Sequence, residues 1–256
     1  MGGLYVFLQQ ACGKGRKELP GICQFGKKRN GGILFDSLEQ RSGTSAETKG
    51  TGIGGKMCIR DRVSMGHSSA TYEQAMLGIA NGATSMTHVY NGMTPYHHRK
   101  PGLVGAAFRV RDIYGEIICD GCHSHLAALN NYFQAKGRDY GIMVSDSLRA
   151  KHCPPGGSYQ LGGHDIEIGE DGLARLKGTD TIAGSTLNMN KGLKILVEKA
   201  LVPLDAAINS CTLNPARCLG VDDRKGKLVV GYDADIVVLE DNYDVVQTYC
   251  RGKKML

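Results

Sequence analysis

No apolar run in this 256-residue sequence approaches the eighteen or so residues that a membrane-spanning helix needs, so such a helix is excluded. Residues 1–10 contain a short apolar patch but no basic n-region and no clear cleavage site, so a secretory signal is not read there. A charge excess is also missing over most of the length. Residues 1–63 hold 11 Lys and Arg against 5 Asp and Glu, and the remainder holds 20 of each. The formal net charge of +6 therefore sits in the first quarter, and the body offers no basic surface for nucleic acid. The nine cysteines include a Cys119-Gly121-Cys122 neighbourhood that forms a CxxC, but no second pair stands at zinc-ribbon spacing. Two small side chains at a strand end explain that motif, and free thiols in a reducing, cytoplasmic setting are expected. Histidine is absent from the first 63 residues; all eight lie between His67 and His164.

What is present is a globular balance, 41% hydrophobic and 22% charged, with 36 glycines, about twice the usual share. Without a collagen period, the glycines read as tight turns. Residues 1–63 show no persistent helical or strand period beyond residues 33–38, and residues 50–55 are linker-like. Residues 57–62 also resemble a translated sequencing-adapter scar, and the whole segment is read as an atypical leader outside the fold. From residue 64 the pattern changes. The spacing predicts a strand over 63–66 and a helix over 71–81, opened by a Thr71/Gln74 capping box and stopped by Gly82. A strand over 85–90, a strand over 113–119, a helix over 126–135 ended by Gly137, and a strand over 140–145 follow. This alternation is the signature of parallel strands with crossover helices. A hairpin excursion over 156–178, helices over 185–200 and 204–212, and two strands across a tight turn over 226–239 complete the reading.

Four consecutive strands end in polar residues of catalytic type: His67, His88, the segment from Asp120 to His123, and Asp146. In a βα-barrel such ends open into one mouth. His67 and His88 are one strand–helix–strand step apart, which places them on adjacent strands roughly 5 Å from each other, close enough to share a metal. Two neutral imidazoles suit zinc or iron, and a nearby carboxylate suits proton transfer with a metal-activated water. Singly, each has an ordinary explanation, a hydrogen-bonded strand-end histidine or an aspartate N-cap. Their recurrence at four successive strand ends points to a metal-assisted hydrolase.

Several ordered motifs carry a resemblance. They are Gly66-His67-Ser68-Ser69-Ala70-Thr71, Thr87-His88-Val89-Tyr90-Asn91-Gly92-Met93, Arg99-Lys100-Pro101-Gly102, Cys119-Asp120-Gly121-Cys122-His123, Val144-Ser145-Asp146, Ile182-Ala183-Gly184-Ser185, Asn214-Pro215-Ala216 and Gly231-Tyr232-Asp233-Ala234-Asp235-Ile236. Over residues 64–256 the chain resembles the N-acetylglucosamine-6-phosphate deacetylases of the amidohydrolase superfamily. The resemblance implies an α/β fold, a partial TIM-like (β/α) barrel over 64–220, with strands of a small β-sandwich over 221–256. It implies that His67 and His88 are metal ligands, with zinc as the divalent metal and iron as the alternative. Asp146 would take a proton from the activated water and return one to the amine leaving group. Asn91, Gly92, Arg99 and His123 would hold the sugar phosphate, the arginine reaching across a homodimer interface. Ile182, Ala183 and Gly184 would line the acetamide side. His97, His98, His125, His152 and His164 match no motif and are read as surface residues.

The departures are specific. The family's N-terminal half supplies barrel strands one to four and a His-Leu-Glu-Gly-Pro segment whose glutamate completes the metal site. Here Glu18, Glu39 and Glu47 have no such context. Gly92 stands where alanine is commoner, and Ser69 where asparagine is. The chain is therefore expected to be a C-terminal half joined to an unrelated leader, with weak metal affinity and no measurable deacetylation of its own. Two rival readings stand beside this one: an amidohydrolase acting on a cyclic amide, which the Asn91, Arg99 and His123 set argues against, and a non-catalytic sugar-phosphate-binding remnant, which the missing glutamate favours.

Overall fold

A computed structural model describes residues 62–154 and 157–256, together with two short strands, β1 (Tyr5–Val6) and β2 (Ile22–Gln24). Residues 33–38, Glu18, Glu39 and Glu47 lie outside the described residues. The architecture is built on a five-stranded parallel sheet in the order β2-β3-β4-β5-β6, with β3 (Arg62–Met65), β4 (Ala83–Met86), β5 (Tyr114–Ile118) and β6 (Gly141–Val144). Parallel neighbours require crossover connections, and helices supply them: α1 (Tyr72–Ala80), α2 (Gly102–Arg109) and α3 (Leu126–Tyr140). The strands lie in chain order, as in one arc of a βα-barrel, and the fold is a partial α/β barrel.

Local chemistry sets the element ends. Thr71 caps α1 through the reciprocal box with Gln74, and Gly82, at φ 98°, reverses the chain into β4. Gly137, at φ 62°, breaks α3, so the segment runs on as a further turn after the expected stop. Met65, Met86, Ile117, Leu129, Tyr132 and Leu196 pack into one large core between the sheet and its helices. Inside that core, Lys136 is fully buried. Its Nζ donates to the carbonyls of Val110 (2.9 Å) and Ile113 (2.7 Å), and burial pushes the amine down to about 7. These two bonds fix the connection that leads from α2 into β5.

Three expectations need correction. The second strand ends at Met86 instead of Tyr90, because His88 and Tyr90 adopt positive φ (30° and 79°) and break the pleat. Helix α2 was unanticipated: no element is read from the sequence between residues 91 and 112. Its Leu103, Val104, Ala106 and Ala107 are all buried, so the helix is covered on most of its faces. The first of the two tail strands over 226–239 does not form. Residues 227–230 make no ladder, and Val230 is fully exposed.

The rest follows the expected order with more detail. The excursion is a three-stranded antiparallel sheet, β7 (Ser158–Leu161), β8 (His164–Ile168) and β9 (Ala174–Leu176), over its own small core of Leu148, Ala150, Ile166, Ile168 and Ala174. Helix α4 (Met189–Lys194) continues through one π turn, Ile195–Lys199. Helices α5 (Leu204–Cys211) and α6 (Leu213–Leu219) complete the layer outside β6, and α6 was also unanticipated. Finally β10 (Ile236–Leu239), β11 (Val245–Cys250) and β12 (Lys253–Lys254) form an antiparallel sheet on which β1 pairs. Cys119, Cys122, Cys153, Cys211 and Cys218 carry free thiols, so the CxxC is not a disulfide. Among the described residues no helix is long and apolar enough to cross a membrane.

Candidate active site

The C-terminal ends of β3, β4, β5 and β6 carry the residues singled out from the sequence. His67 follows β3 by two residues, and His88 follows β4 by two. They meet directly: His67 Nδ1 lies 3.4 Å from His88 Nε2, and the rings stand edge to face with centroids 5.4 Å apart. Two histidines at a bond length of about 2.0–2.1 Å around a tetrahedral ion place their nitrogens roughly 3.3–3.4 Å apart. The observed separation therefore fits a shared cation. The strand ends are tied below the rings, where Ser64 and Thr87 hydroxyls bond at 2.7 Å and Thr87 N–H donates to the Met65 carbonyl. His88 is half-buried. Desolvation holds its ring below the ordinary imidazole value, opposed in part by nearby backbone carbonyls and by Asp146, and reinforced by His67. That keeps the ring neutral, the state a metal ligand needs. Its buried Nδ1 has no partner among the described residues.

Asp146 follows β6 and is exposed. Its charge is felt by His88 and by Glu116. His67, His88 and Asp146 share a backbone signature: φ values of 46°, 30° and 47°, the left-handed region that costs a non-glycine residue about 1–3 kcal/mol. Gly92 explains itself in the same terms. At φ 59°, a Cβ there would lie 2.8 Å from His67 Nδ1, so an alanine in this conformation would require the imidazole or the turn to shift. Asn91 closes that turn, its N–H donating to the His88 carbonyl at 3.0 Å.

His123 lies in the loop after β5. Its Nδ1 is 2.6 Å from the Asp120 carboxylate, with both side chains nearly buried. Residues 182–184 are brought beside Asp146 by backbone bonds: Ser185 N–H donates to the Asp146 carbonyl at 2.8 Å, and Ala183 N–H donates to Ala174 in the small sheet. Gly184, at φ 62°, packs against Leu148 where a Cβ would collide. Arg99 is different. It is exposed in a turn bridged at His97 and Lys100, and among the described residues no contact joins it to His67, His88 or Asp146. Among the unassigned histidines, His125 caps α3 by accepting from Ala127 N–H.

One site residue escaped the sequence reading. Glu116, on β5, is largely buried; desolvation pushes its carboxyl up to about 7, against the His88 backbone N–H that favours its charge. A carboxylate inside the apolar run from Tyr114 to Ile118 was the available signal. Asp120 stands within the strand-end segment read from the sequence, and its pairing with His123 is supplied by the structure. Among the described residues no group of three or more His, Cys, Asp or Glu is placed to hold a metal, so the donor set in hand is the two imidazoles, one short of the usual catalytic zinc site.

With this geometry established, comparison with known proteins is informative. Residues 62–255 match the profile of the Amidohydrolase family. The chain is 40% identical over 191 residues to the N-acetylglucosamine-6-phosphate deacetylase of Bacillus subtilis (strain 168), a match covering 74% of this chain and 47% of that protein. It is 35% identical to the N-acetylgalactosamine-6-phosphate deacetylase of Escherichia coli O157:H7, covering 75% of this chain and 50% of that one. Among solved structures, a mutant N-acetyl-D-glucosamine-6-phosphate deacetylase from Mycobacterium smegmatis in complex with N-acetyl-D-glucosamine-6-phosphate superposes with TM-score 0.72 at 33% identity, covering 76% of this chain and 51% of that chain. The chain thus spans about half the length of the relatives it matches.

Proposed function

The chain belongs to the amidohydrolase family, and from that membership we propose that its strand-end site hydrolyses the acetamide of N-acetylglucosamine 6-phosphate to glucosamine 6-phosphate and acetate. The observation that carries this reading is the convergence of His67 and His88 beside Asp146 at the ends of β3, β4 and β6. His67 and His88 would hold a divalent metal, zinc or alternatively iron, which when bound lowers the pKa of water and polarises the amide carbonyl. Asp146 accepts the proton of the attacking water and returns it to the amine nitrogen as the C–N bond breaks. Its exposed position at the mouth supports that exchange. The Asn91–Gly92 turn and His123 orient the sugar phosphate, and residues 182–184 bound the acetamide beside Asp146. Arg99 offers a planar fork suited to phosphate. Its exposure and its lack of a described contact with them suit a second subunit's site, in a homodimer that places this loop over the neighbour's mouth.

A non-catalytic sugar-phosphate binder is the second reading, and the two-imidazole donor set favours it. The two separate when zinc content by elemental analysis and acetate release are measured on the same sample. Under the catalytic reading acetate release tracks zinc occupancy. Full zinc occupancy with glucosamine 6-phosphate bound and no acetate released leaves the binder. Arg99→Ala tests the substrate class: KM for the phosphorylated sugar should rise with a loss of about 1.5–3 kcal/mol, while N-acetylglucosamine is unaffected. Equal losses for both sugars would make Arg99 structural.

A further inference from the structure

The loop from Asp120 to His123 holds a carboxylate with two separate jobs. Asp120 Oδ1 accepts the backbone N–H groups of Cys122 (2.8 Å) and His123 (2.9 Å), which folds the loop back over Gly121, at φ 76°. Oδ2 is free of that task and lies 2.6 Å from His123 Nδ1. The side chains are 9% and 6% exposed, so water competes weakly for either partner. We propose that Asp120 is a positioning residue: it pins the Nδ1 proton of His123 and thereby makes Nε2 the nitrogen offered to a ligand at the mouth. This deepens the sugar-phosphate reading of the site and rests on it.

The argument is one of donor and acceptor accounting. An ionised carboxylate can only accept, so the ring nitrogen facing it must carry hydrogen. Burial alone would raise the Asp120 carboxyl; the His123 ring and the two backbone N–H groups outweigh it and keep the group ionised below the ordinary carboxylate range. Nδ1 is then protonated whether the ring is neutral or charged, and only Nε2 can change state. In the neutral ring Nε2 is an acceptor, matched to a ligand hydroxyl; it donates to a phosphate oxygen only after gaining a proton. Fixing one tautomer through the far nitrogen is also how carboxylates orient histidines in metal and nucleophile sites. The loop lies after β5, between the strands that end in His88 and Asp146, so the fixed nitrogen belongs to the same rim.

A loop clamp alone would need only Oδ1, and Asp120→Asn separates the two roles. The two N–H donors force the amide to keep its oxygen toward the loop, which turns its NH₂ toward Nδ1 and reverses the tautomer. The experiment is ¹⁵N spectroscopy of the histidine rings in the ligand-free chain, followed by titration with glucosamine 6-phosphate. In the parent, His123 should show a protonated Nδ1. In Asp120→Asn it should show a protonated Nε2, with the amide signals of Cys122 and His123 retained. Affinity for glucosamine 6-phosphate should fall about tenfold, the scale of one hydrogen bond, in Asp120→Asn and in His123→Ala alike, and no further in the double variant. A parent ring protonated only at Nε2, a tautomer unchanged by Asp120→Asn, or weakened binding in His123→Ala but not in Asp120→Asn overturns the assignment. A parent chain that binds no glucosamine 6-phosphate overturns the sugar-phosphate reading and the ligand half of this proposal with it, while the ligand-free tautomer still decides what Asp120 does to the ring.

Discussion

The parallel sheet and the three-stranded antiparallel sheet turn the chain in opposite ways. Around β7–β9 the left-handed positions are all glycines: Gly162, Gly163, Gly172 and Gly178, each with open space where a Cβ would go. Those turns carry little strain, and an alanine would meet no neighbour. At the ends of β3, β4 and β6 the same backbone region is occupied by His67, His88 and Asp146. Each costs about 1–3 kcal/mol there, and each persists because the layer beneath it is deeply packed, with Met86 and Ile117 fully buried. Non-glycine left-handed positions thus occur over the large core, at these strand ends and also at Tyr90 and Tyr243, and are absent from the turns of the small sheet, whose core is five residues. The difference sets the strand ends of the parallel sheet apart from the turns of the small one.

That contrast can be broken most severely at Asp146. Asp146→Asn keeps size and backbone preference but cannot take a proton, so turnover should fall at least a hundredfold while bound metal is unchanged. Turnover within a few-fold of the parent would remove Asp146 from the chemistry. The two cores come next. Ile117→Ala should cost about 4 kcal/mol and Ile166→Ala about 2, the upper and lower parts of the range for such cavities, because the small sheet can collapse around the loss. Equal values in denaturant unfolding would show the two cores to be equally rigid. Glu116 adds a pH signature to the parallel half alone. Its folded carboxyl, raised to about 7, sits above the unfolded value of 4.5, so the native state binds more protons between those values. Stability should therefore fall as pH rises from 4.5 to 7, by at most about 3 kcal/mol. Glu116→Gln should flatten this slope, and an unchanged slope would place the dependence elsewhere.

Much of this was legible in the sequence where local chemistry decides the outcome. The Thr71 and Gln74 box, the alternation of strands and helices, and the strand-end histidines needed no tertiary information. What failed were elements defined by their surroundings. Helix α2 is buried on most faces, and Pro101, Gly102 and Gly105 are weak helix formers, so its surroundings settle it. Val229 and Val230 have strand propensity but no ladder partner among the described residues, and propensity alone does not make a strand. The pairing of Asp120 with His123 was present as an i, i+3 spacing, yet only the turn at Gly121 brings Oδ2 to Nδ1. That the His67 ring lies against Gly92 is likewise a tertiary contact with no local signal.

The smallest expected effect tests the origin of the contrast itself. If His67 is held in the left-handed region by the site and not by its own preference, then glycine at that position should relieve the strain. His67 is exposed, so His67→Gly removes few packing contacts beyond the edge-to-face meeting with His88 and the turn at Gly92. Against the relief stands the greater freedom of glycine in the unfolded chain, about 0.5–1 kcal/mol. The balance should leave the metal-free protein more stable by roughly 1 kcal/mol, a Tm rise of about 2–4 °C for a chain of this size. Zinc uptake should be lost in the same variant, because one of two imidazoles is gone. Gly178→Ala in the small sheet gives the opposite arm: it adds strain of about 1–2 kcal/mol at a turn with open space and leaves zinc uptake unchanged. A His67→Gly variant that melts below the parent in the absence of metal would mean that the strand-end φ is not stored strain, and the opening comparison would lose its energetic basis.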